Sequence, residues 1–210
     1  MSGYWPWLAL AMLGAYHGLN PGMGWLFAVA RGLQEGRRRE VLRSLFPIAA
    51  GHEASLAVIL GGVSLAQFAL NPQQLRIVAA GALGVFAVLV LLRRWKHPRR
   101  TGMRVGLAGL GAWSFLMSTA HGAGLMLLPV LFSLPRLESP GGQAVLAPTS
   151  AEEALAAISL HTAAMLLVMG LTAVVVYERI GVGFLRRRWF NFDLAWGVSL
   201  AVAAPFVLFT

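Results

Sequence analysis

Residues 14–27, "GAYHGLNPGMGWLF", decide how the chain is read. The stretch is apolar enough to lie in a bilayer. Its centre nevertheless holds His17, Asn20, Pro21 and three glycines. Proline keeps the residue before it out of helical geometry and removes one hydrogen-bond donor. Asn20-Pro21 should therefore interrupt the segment near its middle. Gly18, Gly22 and Gly24 ease such a break and allow close packing. Unpaired backbone is tolerated at membrane depth only where it meets protein or a cavity. A break at this place points to a site rather than to a plain anchor.

The rest of the chain agrees with a membrane setting. Of its 210 residues, 58% are hydrophobic and 12% charged, and the mean hydropathy is +0.70. A soluble domain carries about twice that charge fraction. There is no cysteine, which excludes disulfides, iron–sulfur clusters and thiolate metal sites. The N-terminus lacks a basic n-region and its apolar run continues into a full span, so no cleaved signal is expected. The net charge of +9 reads as topology-setting loops rather than as nucleic-acid binding.

The pattern predicts an all-α, polytopic membrane protein with six transmembrane helices. The spans run over about 4–30, 44–70, 73–92, 105–134, 152–177 and 189–208. Each has the roughly 20 residues needed to cross the hydrocarbon core. Three loops hold 15 of the 17 basic residues: 31–43, 93–104 and 179–188. All three fall on one side, which the positive-inside rule makes cytoplasmic. Both termini then face out, in a multi-pass protein of the inner (plasma) membrane. The opposite connections are short, at Asn71-Pro72, or acidic and rich in proline and glycine, with Glu138, Glu152 and Glu153. Tyr4, Trp5 and Trp7 suit an outer aromatic anchor, and Trp95 and Trp189 an inner one. Pro47 reads as a first-turn proline of the second span. The segment "GRRREVLRSLF" before it suits the inner membrane surface.

The two halves share a pattern. "YHGLNPGMGWLF" in span 1 is echoed by "AHGAGLMLLPVLF" in span 4. "GHEASLAVILGG" in span 2 is echoed by "LHTAAMLLVMG" in span 5, where aligning His52 with His161 also aligns Gly61 with Gly170. His17 and His52 are 35 residues apart, His121 and His161 40. Three spans per half is an odd number, so the halves would insert with opposite orientation as an inverted repeat. The whole chain, 1–210, is then one transmembrane domain. Its repeats cover about 4–92 and 105–208, joined by the basic linker 93–104. The matching break in span 4 would involve Gly122, Gly124 and Pro129.

Four histidines fall within spans: His17, His52, His121 and His161. An imidazole inside hydrocarbon must be satisfied and usually marks a functional path. His97, in a basic loop, is expected to be solvated. Imidazole is the commonest ligand for transition metals. The four histidines are therefore the expected metal ligands, with Asn20 beside His17 on one helix face. Met23, Glu53 and Met126 are possible additional ligands. Glu53 lies about 100° around the helix from His52, so it also suits a proton carrier or a partner orienting a histidine.

His17-Gly-Leu-Asn-Pro21, the basic loop after it and Gly51-His52 resemble the lysine-exporter superfamily. They are most similar to its nickel/cobalt transporter branch, which includes membrane accessory proteins of hydrogenase and urease. That resemblance implies six or more spans and metal transport through histidine motifs. Asn20 stands where the family motif has an acid, and no second histidine follows at Met23 or Gly24.

The expected function is a transporter that moves a divalent transition-metal ion through an intramembrane histidine site by alternating access. Alternatives are a b-type haem held by paired histidines, an integral-membrane metalloenzyme, and an exporter of a small amino-acid-like solute. An accessory subunit without transport activity is a further one. Partners would be the lipid bilayer and the metal ion, with a homo-oligomer or accessory subunits possible.

Overall fold

The computed structural model describes residues 4–66, 68–92, 105–132, 151–180 and 192–209. The described residues are helical, with no strand among them. The helices are α1 (Trp5–Leu19), α2 (Trp25–Glu35), α3 (Arg38–Ala66), α4 (Pro72–Leu92), α5 (Leu107–Ala120), α6 (Ala123–Phe132), α7 (Ala151–Val175) and α8 (Phe192–Phe209). A 3-10 turn, Pro21–Met23, joins α1 to α2, and a π turn, Val176–Ile180, extends α7. The loops 93–104 and 133–150 and residues 181–191 lie outside the described residues. So do His97, Trp95, Trp189 and Glu138.

Three helical stretches are long and apolar enough to cross a membrane: Arg38–Ala66, Pro72–Leu92 and Glu152–Arg179. Leu107–Ala120 and Ala123–Leu131, bent by 56° at their junction, make a fourth if read together as one broken span. The apolar stretch Gly197–Leu208 of α8 is shorter.

Local chemistry explains most boundaries. At the start of α4 the Asn71 Oδ1 accepts from the Gln74 amide at 2.8 Å, and the Gln74 Oε1 accepts from the Asn71 amide at 3.0 Å. This reciprocal cap, with Pro72 in the first turn, sets the helix start. α3 differs from expectation. It begins at Arg38, so Pro47 is interior and "RREVLRSLF" forms the first turns of α3 rather than a separate surface segment. The cause is visible at Glu40. Its carboxylate accepts from Arg43 at 2.9 Å, one turn on, and from Arg31 of α2 at 3.2 Å.

Helix pairing follows the small residues. α1 packs chiefly on α7, α3 on α5, and α4 on α8. A Cβ at Gly14 would collide with the His161 carbonyl, and one at Gly18 with the backbone of Met165 and Met169. Likewise, a Cβ at Gly51 would strike the Gly111 carbonyl. Such glycines let helix backbones touch where no hydrophobic effect draws them together. Ser114 donates to the Ile48 carbonyl at 2.7 Å, and the hydroxyls of Ser55 and Thr119 lie 2.9 Å apart, tying α5 to α3. Leu83, Leu128 and Leu200 centre the core between α4, α6 and α8. Met23, Ile48, Leu110, Met165 and Met169 centre another between α2, α3, α5 and α7.

Candidate functional site

The two helix breaks sit beside histidines but are built differently. After α1, Asn20 turns extended (φ −70°, ψ 118°) and its Oδ1 accepts from the Gly22 amide at 2.9 Å. Gly24 takes φ +121°, a conformation open to glycine. The indole N–H of Trp25 donates to the Leu19 carbonyl at 3.1 Å, so an orphaned carbonyl at the end of α1 is satisfied inside the protein. Asn20, expected beside a metal, thus has its side-chain oxygen engaged in shaping the break. Between α5 and α6 the break is at His121-Gly122 itself, with Gly122 at φ +68°. Pro129 and Gly124 lie within α6 rather than at the break, and Gly124 makes room for Ile59.

Three of the four predicted histidines come together. His17 near the end of α1, His52 in α3 and His161 in α7 are each no more than 1% exposed. The His17 ring centroid lies 5.6 Å from that of His52 and 4.9 Å from that of His161. The His52 and His161 rings are 5.6 Å apart and nearly parallel, at 13°. Gly14 and Gly18 let α1 approach α7 on either side of His17, and Gly51 lets α3 approach α5 beside His52.

Hydrogen bonds fix two of the tautomers. His17 Nδ1 is 2.8 Å from the Leu13 carbonyl and His161 Nδ1 is 3.2 Å from the Leu10 carbonyl across the helix interface. A carbonyl only accepts, so each Nδ1 carries the proton and the lone pair resides on Nε2. Neither nitrogen of His52, nor Nε2 of His161, has a hydrogen-bond partner among the described residues. Buried polar atoms are rarely left so, which makes these nitrogens candidates for a ligand. A metal-bound histidine commonly donates its other ring N–H to a carbonyl, as His17 and His161 do.

His121 caps the end of α5 at the second break. It is 4% exposed and donates from Nδ1 to the Met117 carbonyl at 2.9 Å, the same i−4 bond that His17 makes. It is within electrostatic reach of His17. Met23 is buried in the core with Met165 and Met169. Met126 packs in the separate core between α4, α6 and α8, and Glu53, the residue after His52 on α3, is half-buried. Two neighbours escaped the sequence reading. Met165 and Met169 follow His161 at successive four-residue steps and are fully buried. That spacing was the available signal, since i, i+4 and i+8 share one face of a helix. Ser118 and Thr162 are also buried, with hydroxyls lacking a hydrogen-bond partner among the described residues.

The donor identities suit a transition metal, while the donor positions leave an adjustment to make. With metal–nitrogen bonds of about 2.0–2.1 Å, imidazoles around one tetrahedral ion have centroids about 5 Å apart. The observed spacings match that. Yet among the described residues no group of three or more His, Asp or Glu presents its ligating atoms ready to hold an ion. The rings would have to turn. His52 is the one that no hydrogen bond among the described residues restrains.

The chain matches no family model, and no curated protein or solved structure is detectably similar to it.

Proposed function

We propose that the protein is a multi-pass membrane transporter of a transition-metal ion, which the sequence leads one to expect as divalent. The observation that carries this reading is the cluster of His17, His52 and His161. Three helices supply it, and both ring nitrogens of His52 and Nε2 of His161 are buried without a hydrogen-bond partner among the described residues. The proposal includes six spans, with α1–α2 and α5–α6 as broken spans, both termini outside and the basic loops cytoplasmic. It places the protein in the inner membrane and keeps the resemblance to the nickel/cobalt branch of the lysine-exporter superfamily.

The helix pairing supports the inverted repeat within this reading. The first helix of each half packs on the second helix of the other, α1 on α7 and α5 on α3, and the third helices, α4 and α8, pack together. A two-fold exchange of halves generates that pattern. Alternating access would then be the rocking of one half against the other around the histidines. The haem reading gains no support, because α1 and α7 touch at Gly14 and Gly18, on either side of His17.

The test is metal analysis of the purified full chain after growth with and without added transition metals. Wild type is expected to retain metal, and His52→Ala combined with His161→Ala to lose it while eluting as the same folded species. Equal metal content in the two would sink the site.

A further inference from the structure

The site's donors carry no charge. Glu40 is the only buried carboxylate among the described residues, and Arg31 and Arg43 hold it. It lies twelve residues before His52 on the same helix, about 18 Å away at 1.5 Å per residue. Glu53 is half-buried, and no Asp or Glu joins two histidines in a metal-holding group among the described residues. The cluster thus offers neutral imidazole only.

Thioethers continue the donor set. Met165 and Met169 lie one and two turns beyond His161 on the buried face of α7, and Met23 of the first break packs in the same core. Three of the chain's eight methionines therefore gather in one core cluster, two of them on the helix that carries His161. α1 crosses α7 at this level, since Gly18 abuts the backbone of both Met165 and Met169. The row runs from His161 towards Tyr177 and Glu178, the end of α7 that meets the basic loops.

Two physical effects select an ion for such a site. The cost of bringing an ion into a low-dielectric interior rises with the square of its charge, about four times as much for a dication as for a monocation. Anionic ligands normally offset that cost for divalent ions, and the one buried carboxylate among the described residues, Glu40, is held by arginines instead. Thioether sulfur, moreover, selects soft ions, above all Cu(I).

We propose that the ion is a soft monocation, cuprous copper, bound by neutral nitrogen at His52 and His161 and passed to thioether sulfur at Met165, Met169 and Met23. This rests on the transport reading and replaces its divalent ion with a monovalent one.

Competition binding on the purified full chain tests it, under anaerobic conditions with Cu(I) buffered by a chromogenic chelator. Ag(I) serves as the redox-inert stand-in, and Ni(II), Co(II) and Zn(II) run in parallel. Cu(I) and Ag(I) are expected to bind more tightly than any of the divalent ions. Met165→Leu with Met169→Leu, which nearly conserves volume, should weaken Cu(I) about tenfold or more. X-ray absorption on the copper-loaded wild type should show sulfur in the coordination shell, a readout that needs no variant to fold. Histidine-dependent binding of a divalent ion as tight as Cu(I) overturns the monovalent assignment and leaves the transport reading standing. A nitrogen-only shell, or unchanged Cu(I) affinity in the double leucine variant, overturns the thioether path. Binding of none of these ions removes both proposals.

Discussion

Gly51 shows how much a single missing side chain decides. It precedes His52, and a Cβ there would run into the Gly111 carbonyl of α5. Gly61, ten residues further along the same helix, has nothing within 4 Å of an added Cβ. Gly51→Ala should therefore destabilise the protein by about 1–3 kcal/mol through overpacking. Gly61→Ala should stay within about 0.5 kcal/mol of wild type. Unfolding in denaturant, followed by tryptophan fluorescence in detergent, separates the two, and equal effects would refute the close α3–α5 approach. Nothing in the sequence distinguishes these glycines. Both read as small residues in a span, and alignment of the halves even singled out Gly61 rather than Gly51. The histidines are a similar case. All four were legible as buried polar groups, but only the packing of α1, α3 and α7 shows that the rings of His17, His52 and His161 meet.

Among the elements, the junction of α2 and α3 is held by ion pairs that respond to pH. Glu40 binds Arg43 within α3 and Arg31 across the turn, while Arg38 reaches Glu178 of the π turn after α7 at 3.2 Å. Hydrogen bonding from Arg43, and then from Arg31, holds the Glu40 carboxyl below its ordinary value. A carboxyl depressed in the folded state adds stability above its unfolded pKa, about 4.3. That contribution fades as pH falls through the lower folded value. Wild type should accordingly lose thermal stability on acidification from about pH 6 to below pH 4. Glu40→Gln should be less stable at neutral pH and show a smaller loss over that range. Parallel melting profiles for the two proteins would show that the ion pairs do not hold the junction. The charges of 31–43 were plain in the sequence, and their topogenic role hid this one. Pairing across a turn depends on which faces the helices present, as Gly32 illustrates: a Cβ there would collide with Val41 and come close to Tyr177.

For the molecule as a whole, the absence of cysteine makes sidedness directly measurable. Glu35→Cys at the end of α2 and Gln73→Cys in the first turn of α4 both fall on exposed positions. With the basic loops cytoplasmic, a membrane-impermeant maleimide should label Gln73→Cys in intact cells. It should label Glu35→Cys only after permeabilisation. The reverse pattern would invert the topology, and labelling of both in intact cells would break the alternation of spans. The expected orientation rests on counts of lysine and arginine in short loops and on no tertiary contact, so this labelling tests it directly.

The helical class and the apolar stretches were written in composition and in runs of residues, since hydrocarbon demands that backbone hydrogen bonds close within each helix. The break after His17 was written there too, because proline acts on its immediate neighbour. Part of the second break was written there as well: it falls at His121-Gly122, and Gly122 is among the residues the repeat named for it, while Gly124 and Pro129 lie inside α6. Contacts alone decided the rest. α3 started early because Glu40 found two arginines. Three histidines from separate helices met, and Met165 and Met169, whose spacing from His161 signals only a shared face, were buried with Met23 of the first break. Helix periodicity tells which residues share a face, whereas only the approach of two backbones, as at Gly14 and Gly18, tells which faces share a site.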